Sequence, residues 1–243
     1  METAEIDYPD SDGMPMADNS RQFRWICTLM LNASILFKQR DDVFVAEDHL
    51  IYPVQGNPEV SIAPDAYVAF GVKKRDRGSY KVWEEHGIFP QVVFEVYSPG
   101  NTQREFEFKL TKYERFGAEE YYIIYPDDPA TIVGYVRNGK NLVELETLNG
   151  FISPRLGISF LEENGDVTVI GPDGNPWLPL DDQVLELREE RNVAQRQTAT
   201  ANRQSATNQR RAEVLAAEAA ELREKNQALR DKLRAAGIDP DAD

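Results

Sequence analysis

Two acidic residues and one lysine are placed where they could act together on a phosphate. Glu95 interrupts the apolar run VVFEV, which is typical of a buried strand. An ionised carboxylate removed from water without a partner costs on the order of several kcal/mol, so something must compensate this charge. Asp65 stands just before a second apolar run, and Lys109 lies in a later segment with helical periodicity. Two carboxylates and an ammonium group are suited to metal-assisted hydrolysis.

Strand alternation indicates which side of the sheet Glu95 faces. Successive side chains of a strand point to opposite faces, so Glu95 shares a face with Val93 and Tyr97. The intervening apolar residues are predicted to form the core. We therefore expect Glu95 to be covered by the helix that follows and by the segment around Asp65.

The following helix, predicted from about 102 to 116, carries the lysine. Glu105 and Lys109 fall on one stripe at i and i+4, beside the apolar stripe of Phe106 and Leu110. A helix packed across the strand would place the ammonium group of Lys109 beside Glu95. Carboxylate oxygens are the ligands that Mg²⁺ takes, and a nearby lysine could orient water or offset phosphate charge.

A structural alternative fits the same residues. Glu95 and Lys109 could form a buried ion pair with no chemical role, and Asp65 could be an ordinary turn acid after a proline. Structural pairs also perturb acids and bases, so spacing alone favours this alternative.

Composition restricts the class of protein. The chain has 243 residues and a formal net charge of −15. It has no apolar run of membrane-spanning length, and its first residues are acidic where an export signal would be basic, so we expect a cytoplasmic protein. The single cysteine, Cys27, excludes a disulfide within the chain. With only His49 and His86 besides, a zinc site of cysteine and histidine is excluded as well.

Three zones divide the chain. Residues 1–19 have no apolar periodicity and are predicted to be disordered. Residues 20–181 alternate helical and strand patterns, which predicts an α/β domain with a mixed central sheet flanked by helices. Within this domain, Asn138-Gly139 predicts a tight type I′ hairpin turn. Residues 182–243 form a tail that is helical to about residue 236.

The helical tail carries a short heptad pattern. Leu215, Leu222 and Leu229 are seven residues apart, and Asn226 lies on the same seam. This pattern fits a coiled coil between two copies of the chain, and it equally fits a solvated helix with a short apolar stripe. The tail holds eleven basic and nine acidic residues between 182 and 236, so the domain carries most of the negative charge.

The ordered motifs in the domain resemble a known family. PDAYV, then FEVYSPGN, then the lysine of FEFKLTKYERFGAEEYY resemble the Uma-two family of restriction endonucleases, a branch of the PD-(D/E)xK nuclease superfamily. The resemblance covers roughly residues 43–136. It implies a restriction-endonuclease-like fold in which Asp65, Glu95 and Lys109 are the catalytic residues. The lysine is moved from the strand, where Tyr97 stands, to the next helix.

The resemblance implies a DNA endonuclease that depends on Mg²⁺ or Mn²⁺. In this mechanism Asp65, Glu95 and the backbone carbonyl of Val96 hold the metal, and Lys109 positions the attacking water. Glu105 matches a position that is usually aspartate and is carried over as an accessory acid. Tyr125 and the arginine-rich start of the first helix depart from the family pattern.

A basic loop offers a surface for DNA. It has the sequence KKRDRGSYK and follows the strand after Asp65. Its candidate nucleic-acid-binding residues are Lys73, Lys74, Arg75 and Arg77. A solvated loop explains the same residues.

The alternative to an enzyme is a catalytically silent nuclease-like module that binds nucleic acid or a protein partner, recruited through the tail. A homodimer could form through the domain or the coiled coil, and no membrane partner is expected.

Overall fold

A computed structural model describes residues 6–237 of the chain. It divides into two compact units, one ending at Gln183 and one beginning at Val184. Each unit is described by itself below. In residues 6–237 no helix is both long and apolar enough to cross a membrane.

The first unit is built on a six-stranded mixed sheet. In spatial order its strands are β1 (Val43–Glu47), β3 (Ala66–Phe70), β5 (Val92–Val96), β6 (Glu120–Tyr125), β7 (Thr131–Asn138) and β8 (Asn141–Glu144). Neighbouring strands are antiparallel except β5 and β6, which run parallel. A crossover helix joins this parallel pair, as such a connection requires. Two short parallel strands, β2 (Ile51–Tyr52) and β4 (Tyr80–Lys81), form a separate pair, and a 3-10 helix follows at Val82–Glu85.

Two helices pack on opposite faces of the sheet. Helix α1 (Ser20–Leu36) buries Ile26, Leu29 and Ala33 in the cluster that includes Phe94. Helix α2 (Gln103–Phe116) is the crossover between β5 and β6 and buries its apolar stripe in the other cluster. Both faces of the sheet therefore carry a core cluster, and α2 covers the face of Glu95 with its apolar stripe, as the sequence predicts.

The hairpin turn predicted at Asn138-Gly139 lies one residue further along the chain. Asn138 pairs with Asn141, so the loop between β7 and β8 is Gly139-Lys140, and Gly139 has a φ of 63°. Asn138 remains in the strand. A type I′ turn does form at Asn164-Gly165, where both residues have positive φ, and it joins β9 (Ser159–Glu163) to β10 (Asp166–Ile170). This hairpin packs Phe160 and Val169 into the cluster on the α1 side.

Residues 6–19 have no helix or strand but make specific contacts with the domain. The ring of Tyr8 lies 5.1 Å from that of Tyr52 and 5.0 Å from that of Trp83. The Tyr52 hydroxyl donates to the carbonyl of Pro9 at 2.8 Å. Nearer α1, the carboxylate of Asp18 accepts a hydrogen bond from the hydroxyl of Ser98. The prediction of disorder did not anticipate these contacts, and residues 1–5 lie outside the described residues.

The second unit consists of helix α3, which runs from Leu180 to Ala235 and begins in the last residues of the first unit. The predicted long helix is present, and none of its described side chains is buried. Leu215, Leu222 and Leu229 are 59–64% exposed. The pairing of two such helices stays a prediction.

Candidate active site

The end of strand β5 extends past its neighbour β3. The last paired residues are Ala66 and Phe94, so the backbone of Val96 has no strand opposite it on that side. Side chains replace the missing strand. The carboxylate oxygen Oδ2 of Asp65 accepts from the Val96 N–H at 2.6 Å, and Nε2 of Gln22 donates to the Val96 carbonyl at 3.1 Å. A carboxylate and a backbone carbonyl thus meet at one end of the sheet.

Glu95 is buried, with 1% of its surface exposed, and both of its carboxylate oxygens accept hydrogen bonds. Oε2 accepts from Nζ of Lys109 at 2.7 Å, and Oε1 accepts from the Tyr113 hydroxyl at 2.5 Å. Lys109 and Tyr113 are four residues apart and therefore neighbours on one side of α2. Burial, then the nearby Glu95, raises the pKa of Tyr113 well above its usual value, so its hydroxyl stays a donor.

Lys109 joins three segments of the chain at the site. Besides Glu95, its ammonium group donates to the carbonyl of Ala63 at 3.3 Å. An ammonium group has three donors, so one remains, and the side chain is 28% exposed. Burial alone would lower the pKa of Lys109, but the charges of Glu95 and Asp65 outweigh it and raise the pKa. Lys109 is therefore charged at neutral pH.

The acidity of the Asp65 carboxyl group is strongly perturbed. Burial first, and then the negative charge of Glu95, raise the pKa of Asp65 to about 7. The charge of Lys109 and the hydrogen bonds from Val96 and Gln22 oppose this rise without cancelling it. The single positive charge of Lys109 does not balance the two carboxylates of Asp65 and Glu95. Protonation of Asp65 or a bound cation would remove the excess negative charge.

We expect this perturbed carboxyl group to make stability fall as pH rises. Its pKa is about 7 in the folded protein and about 3.9 in an unfolded chain, so the folded state binds more protons between these values. The resulting stabilisation is complete below about pH 4 and is lost as pH rises through about 7, by on the order of 1 kcal/mol per pH unit. Urea unfolding from pH 5 to 8, with chelator present, should show the wild type losing stability relative to Asp65→Asn. Parallel curves for the two proteins would contradict the raised pKa.

The donor set fits Mg²⁺ or Mn²⁺. Asp65 and Glu95 supply carboxylate oxygens, and the Val96 carbonyl accepts one hydrogen bond but has two lone pairs. Residues 6–237 contain no cluster of three or more acids, histidines or cysteines suited to a metal. Mg²⁺ does not need such a cluster, since it is usually bound by one or two carboxylates and retains several waters.

The carboxylate of Glu105 forms a hydrogen bond at the start of α2. Its Oε2 accepts from the backbone N–H of Thr102 at 2.8 Å, and the Thr102 side chain accepts from the Glu105 N–H. This is a capping box at the start of α2. The charge of Glu105 still acts on Lys109, where it contributes to the raised pKa.

The basic loop lies away from the site. It follows Phe70, whereas Asp65 precedes Ala66, so the loop begins at the opposite end of β3, about 15 Å away at 3.3 Å per residue. Nζ of Lys74 donates to the carbonyl of Phe37, just past the end of α1. Phe37 follows the C-terminal end of α1, whereas Gln22 lies in the first turn of the same helix. The basic loop is therefore separated from the two acids by the length of α1 as well.

Two of the four basic-loop candidates bind an internal acid. Arg75 and Arg77 both contact Oε1 of Glu85, at 2.7 and 2.8 Å. The side chain of Arg77 is only 3% exposed and its guanidinium lies 4.0 Å from the ring centre of Phe44. The prediction that Arg77 contacts DNA is therefore wrong for this conformation, because the residue is part of the packing. Lys73, Lys74 and Arg75 remain exposed.

Sequence reasoning missed two residues that complete the site. Gln22 is 6% exposed, and its Oε1 accepts from the Asp18 N–H at 2.8 Å while its Nε2 holds Val96. The available signal was its position on the buried stripe of α1, at i, i+4 and i+7 with Ile26 and Leu29. Tyr113 follows Lys109 by four residues on α2, and the hydroxyl group on its largely apolar side chain was the missed signal.

Comparison with known proteins identifies the family. A family model described as "Uma2: Putative restriction endonuclease" matches residues 11–161, which include every residue of the site described above. The chain belongs to this family. No curated protein matches the chain.

One solved structure is similar to part of the chain. A crystal structure titled as a "putative nuclease belonging to DUF820" from Anabaena variabilis ATCC 29413 is 15% identical to the chain, with a TM-score of 0.41. The similarity covers 61% of this chain and 75% of that one. A likeness at this level does not bear on activity.

Proposed function

We propose that this Uma2-family protein is a nuclease that hydrolyses phosphodiester bonds of DNA with the help of Mg²⁺ or Mn²⁺. Family membership supports the nuclease class. One observation supports the metal and the chemistry. Three separate segments carry Asp65, Glu95 and Lys109, and their charges interact at the end of β5, where Asp65 also accepts from the Val96 N–H.

Asp65, Glu95 and the Val96 carbonyl would hold the cation. When bound, the cation would stabilise negative charge on the phosphate and make the attacking water more acidic. Asp65 must lose its proton to bind a cation, and its pKa of about 7 makes this loss easy just above neutral pH. Gln22 and the Val96 N–H fix the position of the two oxygen donors before any ligand arrives.

Lys109 acts through its charge and its remaining N–H. Its raised pKa keeps the ammonium group protonated, so it does not accept the proton of the attacking water. The third N–H can instead orient that water or donate to a phosphate oxygen. Tyr113 keeps Glu95 in place while Lys109 makes this contact.

Plasmid cleavage tests the proposal. We expect the intact protein to nick or linearise supercoiled plasmid DNA with Mg²⁺ or Mn²⁺, and to stop when the metal is chelated. Cleavage that continues in chelator would contradict the metal-dependent mechanism.

A catalytically silent module is the second candidate function, and one feature favours it. Both oxygens of Glu95 and the carbonyl of Val96 already accept hydrogen bonds within the protein. The site is therefore satisfied as a purely structural arrangement. Metal-induced thermal stabilisation without cleavage of plasmid or oligonucleotide would support this candidate and reject the enzyme.

A further inference from the structure

A groove beside the candidate active site combines positive charge with aromatic surface. It has a volume of about 490 Å³ and lies between the first turns of α1, strand β10 and the segment 176–179. Arg21, Arg24 and Trp25 line it from α1, and Trp177 lines it from the other side. Both tryptophans are partly exposed and pack their remaining surface on the core cluster of α1.

The two arginines are available to an anionic ligand. The guanidinium of Arg24 makes no ion pair with any residue in the described range 6–237. Arg21 contacts Asp127 at 3.3 Å, but both side chains are about 60% exposed (58% and 60%), and exposed pairs contribute little. A phosphate could therefore replace Asp127 at small cost. Asp166 is the acidic residue lining the groove.

Helix α1 carries residues of both the groove and the candidate active site. Gln22, which contacts Val96, is the neighbour of Arg21 in the chain. Trp25 follows three residues later, which is about 4.5 Å along the helix axis. Arg21 also donates to the carbonyl of Pro126, just after β6. Because β6 runs parallel to β5, this contact lies at the end of the sheet that carries Val96.

We infer that this groove binds the nucleic-acid strand next to the scissile phosphate. Arg21 and Arg24 contact phosphates, and Trp25 and Trp177 stack on unpaired bases. This inference rests on the proposed function, because the nucleic-acid ligand of the groove is the substrate of the proposed nuclease. Charge complementarity favours a polyanion as the ligand. The protein has a formal net charge of −15 and repels polyanions in general, whereas the two arginines of the groove attract them. Aromatic stacking selects single-stranded segments, because bases in a duplex are already stacked.

Binding of a fluorescein-labelled oligothymidine of twelve nucleotides to the intact protein, in chelator, tests the groove without requiring cleavage. We expect Arg24→Gln to weaken binding about fivefold at low salt and to reduce the slope of log K against log salt by about 0.7. Trp177→Leu should weaken binding on the order of tenfold. Arg115→Gln, the same change at an exposed arginine in the last turn of α2, is the matched control and should bind like the wild type. Arg75→Gln makes the same change in the basic loop, which is the competing binding surface.

The outcomes separate the groove from the nuclease proposal. If Arg24→Gln binds like the wild type while Arg75→Gln is weakened, the groove assignment is wrong, whether or not the protein cleaves DNA. If the wild type cleaves plasmid but binds duplex more tightly than oligothymidine, the stacking role is wrong. If the wild type binds no oligonucleotide and cleaves no DNA, both proposals fail. Because Trp177 is partly buried, the exposed Arg24 keeps the test valid even if Trp177→Leu does not fold.

Discussion

Lys109→Met should abolish DNA cleavage and destabilise the fold by about 3–5 kcal/mol. The substitution keeps the length and apolar stem of the side chain but leaves Glu95, 1% exposed, without its positive partner. Only Tyr113 then satisfies the carboxylate. Denaturant unfolding at pH 7.5 and plasmid cleavage measure the two effects separately.

Lys112→Met is the matched control for this change. Lys112 lies one turn further along α2, and its ammonium group donates to the carbonyl of Ser61 at 2.7 Å without an acidic partner. Its loss should cost about 1 kcal/mol and leave cleavage intact. If Lys109→Met costs no more than Lys112→Met, Glu95 does not depend on its lysine.

A double variant separates the structural role of the pair from its chemical role. Glu95→Gln combined with Lys109→Met removes both charges and retains an acceptor for Tyr113. Because replacing a buried ion pair as a whole is far less costly than breaking it, the double variant should recover most of the lost stability. It should remain inactive. Recovered cleavage would mean that neither residue takes part in the reaction.

Asp65→Asn should reduce cleavage by at least about 10³-fold and leave the protein folded. In the proposed mechanism a bound metal would contribute several kcal/mol of transition-state stabilisation, and removal of a charged ligand would cause a loss of this size. The asparagine carbonyl can still accept from the Val96 N–H, so the end of β5 stays in place. Mn²⁺ should raise the melting temperature of the wild type and leave that of the variant unchanged.

Asp48→Asn is the same change at a neighbouring acid. Asp48 is exposed; partial burial raises its pKa, and the charge of the nearby Lys109 opposes this rise. It has a φ of 48°, which asparagine tolerates. This variant should cleave within about twofold of the wild type. A variant at Asp65 that cleaves as well as the one at Asp48 would remove Asp65 from the reaction.

The pairing of Glu95 with Lys109 could be predicted because two local rules agree there. Alternation places Glu95 on one face of β5, and the stripe of α2 places Lys109 at the edge of its buried side. The contact follows once the helix crosses the strand. The local patterns did not reveal where β3 ends relative to β5. This depends on the register in which the two strands pair, and they are far apart in the sequence. For this reason the role of Gln22, which fills that gap, was not foreseen.

The basic loop and the turns show a different limit of sequence reasoning. A run of basic residues looks the same whether it faces solvent or binds an internal acid, and only the fold brings Glu85 to Arg77. The sequence predicts a type I′ turn at Asn138-Gly139. In the structure Asn138 pairs with Asn141, so the asparagine belongs to the strand and not to the turn. The same dipeptide at Asn164-Gly165 forms that turn, because β9 and β10 pair on either side of it.

The position of bound Mn²⁺ in a crystal, located by its anomalous scattering, tests the central claim most directly. We expect a single strong peak within coordination distance of the carboxylates of Asp65 and Glu95 and the carbonyl of Val96. The peak should disappear in Asp65→Asn. Crystals in which saturating Mn²⁺ leaves this position empty, with Lys109 still bound to Glu95, would show that the three charged groups are a structural arrangement and not a metal centre.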